Sequence, residues 1–225
     1  MQKAVLTLAL LAAVPLGAQQ PQGMDKDPTR KVTGTGALPA GWQLRFDTPR
    51  PGRPEPKPDD VKFVTMGGGF HATSGPAAIY YNPKDKAMGT FTAQGSFAQS
   101  KPSGHEAYGI FVGGSALQSP EQEYLYLVIR PMDGGYYIAH RKAAEVHAVV
   151  PWTPSPAVNK QDDTGKASNQ VAIQVAADSV HFLVNGQRVK SFAKSEMHGF
   201  NTDGQAGLRI NHNLDVHIAS FEVKK

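Results

Sequence analysis

Residues 168–192, SNQVAIQVAADSVHFLVNGQRVKSF, limit what this chain can fold into more than any other stretch. Val171, Ile173 and Val175 alternate with polar or small residues, and after Ala177-Asp178 the alternation resumes in Val180, Phe182 and Val184. Asn185-Gly186 then turns the chain into Arg188, Val189 and Phe192. A period of two interrupted by turn residues specifies short antiparallel strands with one face on a core. Asn-Gly suits a two-residue type I′ hairpin turn, which needs positive φ at both central positions.

The same grammar runs through most of the chain. GWQLRFD, residues 41–47, puts Trp42, Leu44 and Phe46 on one parity and reads as a first strand. From Val61 onward short strands and turns alternate with no amphipathic helix. The glycine run at 67–69 reads as a tight turn or bulge, and Asn82-Pro83 as a strand end. In the last strand Leu214, Val216 and Ile218 share a parity while Phe221 and Val223 take the other, which predicts a bulge between 218 and 221. The expectation is an all-β, antiparallel two-sheet sandwich.

Residues 1–18 have the form of a secretory signal peptide. Lys3 gives the positive start, Ala4 to Val14 the apolar stretch, and Gly17-Ala18 the small residues for cleavage. The apolar stretch is too short for a membrane span, which takes roughly 20 residues. Export to the periplasm or the extracellular space is therefore expected. Residues 19–37 read as a flexible lead, 38–225 as the sandwich, and 48–60 as a proline-rich exposed loop within it. The chain has no cysteine, which rules out disulfides, thiol nucleophiles and thiolate metal sites.

The net charge of +4 has no focus: residues 19–60 hold seven Lys/Arg against six Asp/Glu, and residues 61–225 fifteen against thirteen. No basic stripe marks a nucleic-acid partner.

Four elements carry a resemblance: Gly67–Gly69, Asn169–Val189 (NxVxIxVxxxxVxFxVNGxxV), Gly204–Ile210 (GxxGLRI) and Val216–Val223 (VxIxxFEV). In this order they resemble the concanavalin A-like lectin/glucanase sandwich, and within it laminin-G-like domains and secreted 3-keto-disaccharide hydrolase-like domains. The resemblance implies a jelly roll over about 61–225. It leaves carbohydrate binding, glycoside hydrolysis or lysis, and a purely structural role open.

Hydrolysis needs two carboxyl groups across the scissile bond. The E-x-D-x-x-E strand of family 16-like glucanases is absent, and its nearest approach is Glu121-Gln122-Glu123. The acidic strand of the 3-keto-disaccharide hydrolase-like family is not reproduced either, since that region reads Glu123-Tyr124-Leu125-Tyr126-Leu127-Val128. A hydrolase or lyase would have to use Glu123 as acid/base, with His140 or His105 assisting.

The leading expectation is a ligand face. In EYLYLVIR, Leu125, Leu127 and Ile129 point to the core, which leaves Tyr124, Tyr126, Val128 and Arg130 on the other side. Tyr108, Glu123, Tyr124, Tyr126, Arg130, Tyr137, His140 and Arg141 are the candidate ligand-binding residues. Tyrosines would stack on sugar rings while Arg130, Arg141 and Glu123 bond hydroxyls. Parity alone leaves Tyr136/His140 and Tyr137/Arg141 as alternatives for the same face. No cofactor is expected, and the scattered histidines do not form a zinc pattern. Calcium stays open through the laminin-G-like resemblance, with Asp133, Asp162, Asp163 and Asp203 in loops.

Overall fold

The computed structural model describes residues 31–197 and 199–225. The leader and most of the lead at 19–37 lie outside the described residues. The first seven strands are β1 (Gln43–Phe46), β2 (Val61–Met66), β3 (Gly69–Ser74), β4 (Ala78–Ala87), β5 (Phe91–Gln99), β6 (Tyr108–Ser115) and β7 (Glu123–Arg130). The remainder are β8 (Gly135–Lys142), β9 (Glu145–Pro154), β10 (Ala167–Val175), β11 (Ser179–Val184), β12 (Gln187–Ala193), β13 (Gly204–Ile210) and β14 (Asp215–Lys224). They form two antiparallel seven-stranded sheets, ordered β1-β4-β13-β6-β7-β8-β9 and β12-β11-β10-β5-β14-β3-β2 among the described residues. The fold is an all-β sandwich with jelly-roll connections.

The 168–192 stretch becomes β10, β11 and β12 at one side of the second sheet. Val171, Ile173, Val175, Val180, Phe182 and Val184 all face the core and are buried. Removing each from water is worth roughly 1.5–3 kcal/mol, an upper figure because unfolded chains also bury some surface. Asn185 and Gly186 have φ of 50° and 76°, as a type I′ turn requires. The Asn185 side chain also accepts from the Gln170 N–H at 2.7 Å and donates to the Ala157 carbonyl and the Asn169 Oδ1, each at 2.8 Å.

The glycine run forms the β2–β3 turn, with Gly67 and Gly68 at positive φ. The expected irregularity in β14 falls between Ile218 and Ser220, where its register against β5 shifts. Asn82-Pro83 does not end its strand: β4 continues to Ala87 and absorbs the proline in a register shift against β13. In the described part of the lead, the Gly34 N–H donates to the Asp59 carbonyl at 2.7 Å.

The first sheet is curled. Asp47 follows β1 directly and Arg141 lies on β8, with four strands between them in the sheet. Five spacings of about 4.8 Å would separate them by about 24 Å on a flat sheet. Their side chains nevertheless lie 3.3 Å apart. The face opposite the core is therefore the concave one.

Candidate functional site

Strand register settles which side chains share this concave face. Tyr124 pairs with Arg141, Tyr126 with Ala139, and Val128 with Tyr137 across β7 and β8. The partner set Leu125/His140, Leu127/Ile138 and Ile129/Tyr136 points into the sandwich. The Tyr137/Arg141 alternative thus joins Tyr124, Tyr126 and Arg130, and the Tyr136/His140 alternative does not.

Three candidate residues lie elsewhere. Tyr108 is in the inter-sheet core against Phe97, with ring centroids 5.1 Å apart. Burial pushes its hydroxyl up to about 12. Glu123 and His140 bond each other at 2.9 Å on the core-facing side, where the His140 ring also packs on Phe200. Their strand parity turns them away from the tyrosines, so Glu123 cannot bond a ligand held on the concave face.

On the concave face six rings form a continuous ladder. Tyr81 of β4 meets Phe111 of β6 with centroids 6.4 Å apart, and Phe111 meets Tyr124 at 5.1 Å. Tyr124 meets Tyr126 at 5.7 Å, Tyr126 meets Tyr137 at 6.2 Å, and Tyr137 stacks on Trp152 of β9 at 5.2 Å. Gly207 makes room at the first rung, since a Cβ there would lie 2.6 Å from the Phe111 ring and 2.4 Å from the Tyr80 carbonyl oxygen. The inner rings are buried, whereas Trp152 is 36% exposed at the rim. Arg130 lays its guanidinium over Trp152, 4.1 Å from the ring centroid. Asp133 fixes that pose, accepting from Arg130 Nε at 3.0 Å and from a terminal nitrogen at 2.5 Å.

A charged group crosses the middle of the ladder. Arg209 of β13 donates two bonds to Asp47, at 2.7 and 2.5 Å, and its guanidinium lies 5.8 Å from the Tyr126 ring centroid. Gly109, the β6 residue opposite Arg209, presents no side chain to obstruct that reach. Burial alone would push the Asp47 carboxyl up, but Arg209 and Arg141 outweigh it and hold it below the usual range. Burial likewise opposes charge on Arg209, and Asp47 overrides it, so the guanidinium stays protonated. Burial raises the hydroxyls of Tyr124, Tyr126 and Tyr137, which remain neutral donors.

Asp47 also borders a cavity of about 430 Å³ under the proline-rich loop, whose lining includes Lys31, Arg50, Arg53, Glu55 and His212. Nearby, Glu106 accepts from the His212 backbone N–H at 3.2 Å, and burial pushes its carboxyl up to about 7.

Sequence reasoning missed Asp47, Arg209, Phe111, Tyr81 and Trp152. Asp47 and Arg209 are 162 residues apart, and no local pattern could pair them. Gln43, Arg45 and Asp47 do share a parity opposite Leu44 and Phe46, which was the available signal for Asp47.

No group of three or more His, Asp or Glu placed to hold a metal occurs among the described residues. Three of the loop aspartates serve turns and neighbours: Asp133 holds Arg130, Asp162 accepts from the Thr164 and Lys166 N–H groups, and Asp203 accepts from Gly89 N–H. On the second sheet Asp215 is bonded by Thr73 at 3.0 Å and Lys101 at 3.1 Å, with His71 at 3.4 Å.

No family model and no curated protein sequence matches the chain. Solved structures do. A carbohydrate-binding module, CBM66 from Bacillus subtilis, superposes with a TM-score of 0.59 at 8% identity, covering 86% of this chain and 99% of that one. A Bacteroides ovatus family 16 enzyme of a mixed-linkage glucan locus gives a TM-score of 0.54 at 9% identity, covering 81% and 94%. Alginate lyase A1-II′ of polysaccharide lyase family 7 gives 0.51 at 13% identity, covering 72% and 82%. These likenesses show the fold, a concanavalin A-like jelly-roll sandwich of two antiparallel sheets.

Proposed function

We propose that the protein is an exported carbohydrate-binding protein that holds a glycan along the concave face of the first sheet. The observation that carries this reading is the six-ring ladder, which surfaces at Tyr137 and Trp152 beside a guanidinium pinned in place by Asp133. Apolar ring faces with a few fixed donors suit a pyranose, which has an apolar face and a hydroxyl rim. Three structures of this fold support a carbohydrate ligand by their own descriptions: a carbohydrate-binding module, a mixed-linkage glucan enzyme and an alginate lyase.

Binding is favoured over hydrolysis by where the carboxyl groups lie. Asp47 is engaged by Arg209 and Arg141, and Glu123 is bonded to His140 on the other side of the sheet. A glycan array probed with the wild type, Trp152→Ala and Tyr137→Ala tests the reading. The wild type is expected to give signals that both variants lose; equal signals from all three would remove this face. Release of reducing ends from the bound glycan would replace binding with hydrolysis.

A further inference from the structure

Guanidinium groups outnumber carboxylates in the middle of the concave face. Arg141 and Arg209 are both more than nine-tenths buried, and the carboxylate of Asp47 is shared between them. Arg141 has a long bond to the Ala144 carbonyl at 3.4 Å, but the Nε–H groups of both arginines have no acceptor among the described residues. Arg130 does not draw on Asp47, because Asp133 satisfies it separately. Glu106 lies within electrostatic reach of Arg209, but burial keeps its carboxyl largely protonated below neutral pH. Two buried cations facing one anion leave positive charge uncompensated, and buried guanidinium donors without acceptors are costly. That arrangement is poised for a second anion.

We propose that the bound glycan is acidic, with a sugar carboxylate received by Arg141 and Arg209 and the sugar rings resting on Tyr137 and Trp152. The planar guanidinium fork matches a carboxylate in two-point geometry, which a neutral hydroxyl cannot provide. The spacing fits: Arg141 and Tyr137 share the concave side of β8 four residues apart, about 13 Å along the strand. That distance is the length of a short oligosaccharide.

This inference rests on the proposed glycan reading, and the test separates the two. Oligomers of galacturonate, mannuronate and hyaluronate, each with its carboxyl-reduced neutral counterpart, are titrated into the full chain by calorimetry. At least one acidic oligomer is expected to bind about tenfold or more tighter than its reduced form, since a hydrogen bond to a charged group contributes that much. Its affinity should also fall with added salt. Arg141→Gln should weaken acidic binding at least about tenfold, with Arg141→Lys between the two because it keeps the charge and loses the fork. A melting curve for each variant identifies loss of folding, and the comparison of acid with reduced oligomer on the wild type stands without any variant. Equal affinity for acidic and reduced forms, or no affinity for any acid while neutral glycans bind, would overturn the acidic assignment and leave the glycan reading standing. Binding to no glycan of either kind would remove both.

Discussion

Asp47 and Arg141 lie 3.3 Å apart although four strands of the same sheet separate the elements that bear them. Together with the fork from Arg209, this pair joins the β1 side of the sheet to β8 across the trough. The contact links long-range packing to the site, because it lies on the same face of the sheet as the six packed rings. Asp47→Ala would leave two buried guanidinium groups without their carboxylate. Breaking such a pair costs about 3–5 kcal/mol. Urea denaturation should show a loss toward the lower end of that range, because Asp47 is 24% exposed. A change within about 0.5 kcal/mol, typical of surface substitutions, would mean that the pair does not hold the curl.

Glu106 makes stability depend on pH in a direction opposite to the paired aspartate. Its carboxyl titrates at about 7 in the folded protein and near 4.5 when unfolded, so between these values the folded state alone keeps the proton. Its contribution is therefore intact below about 4.5 and is lost as pH rises to about 7. For Asp47, held below its ordinary value, stability is present above the unfolded pKa and is lost as pH falls through the folded one. Glu106→Gln, which can still accept from the His212 N–H, is expected to melt higher than the wild type at pH 8 and about equally at pH 4. A variant that melts lower at pH 8 would contradict the burial argument.

Gly207 sits where the ladder begins, and its position is closed to any side chain. A Cβ would come within 2.4 Å of the Tyr80 carbonyl oxygen and 2.6 Å of the Phe111 ring. Gly207→Ala should cost about 1–3 kcal/mol as the strand and ring are forced apart. Calorimetric melting of this variant beside Gly186→Ala separates crowding from turn strain, because Gly186 faces open space but has φ of 76°.

Asn185 does more than form its turn. Three side-chain hydrogen bonds tie it to Gln170, Ala157 and Asn169, so the hairpin tip is joined to β10 and to the segment before it. Asn185→Ala is expected to cost about 3 kcal/mol, since it leaves polar partners unsatisfied as well as straining the backbone. Asn185→Gly, which keeps the conformation and loses the bonds, should fall between the two. Equal stability of the glycine variant and the wild type would assign the asparagine to the turn alone.

The sandwich was legible because burial on one face forces a period of two, and residues 168–192 display that period, broken only by the turns at Ala177-Asp178 and Asn185-Gly186. The side chains of β7 were equally clear, since leucine and isoleucine occupy one parity and tyrosine the other. β8 was ambiguous because GYYIAHRK offers aromatic and cationic residues on both parities, and only its register against β7 resolved them. Asp47 and Arg209 belong to segments that look like ordinary strand and loop. Their meeting depends on sheet order and curl, which no local pattern encodes. Asn82-Pro83 misled for a related reason: the proline sits where the β4–β13 ladder is already irregular, so its missing donor is tolerated.

The most direct measurement uses the chain's two tryptophans. Trp42 packs in the core against Phe63 and Phe70, and Trp152 lies at the rim of the trough. In a Trp42→Phe variant the indole emission reports on Trp152 alone. Titration with a glycan that the wild type binds should change that emission saturably, with the same midpoint as calorimetry, and Trp152→Ala should lose affinity. Binding that leaves the Trp152 emission unchanged, with full affinity retained by Trp152→Ala, would place the glycan elsewhere and contradict the account.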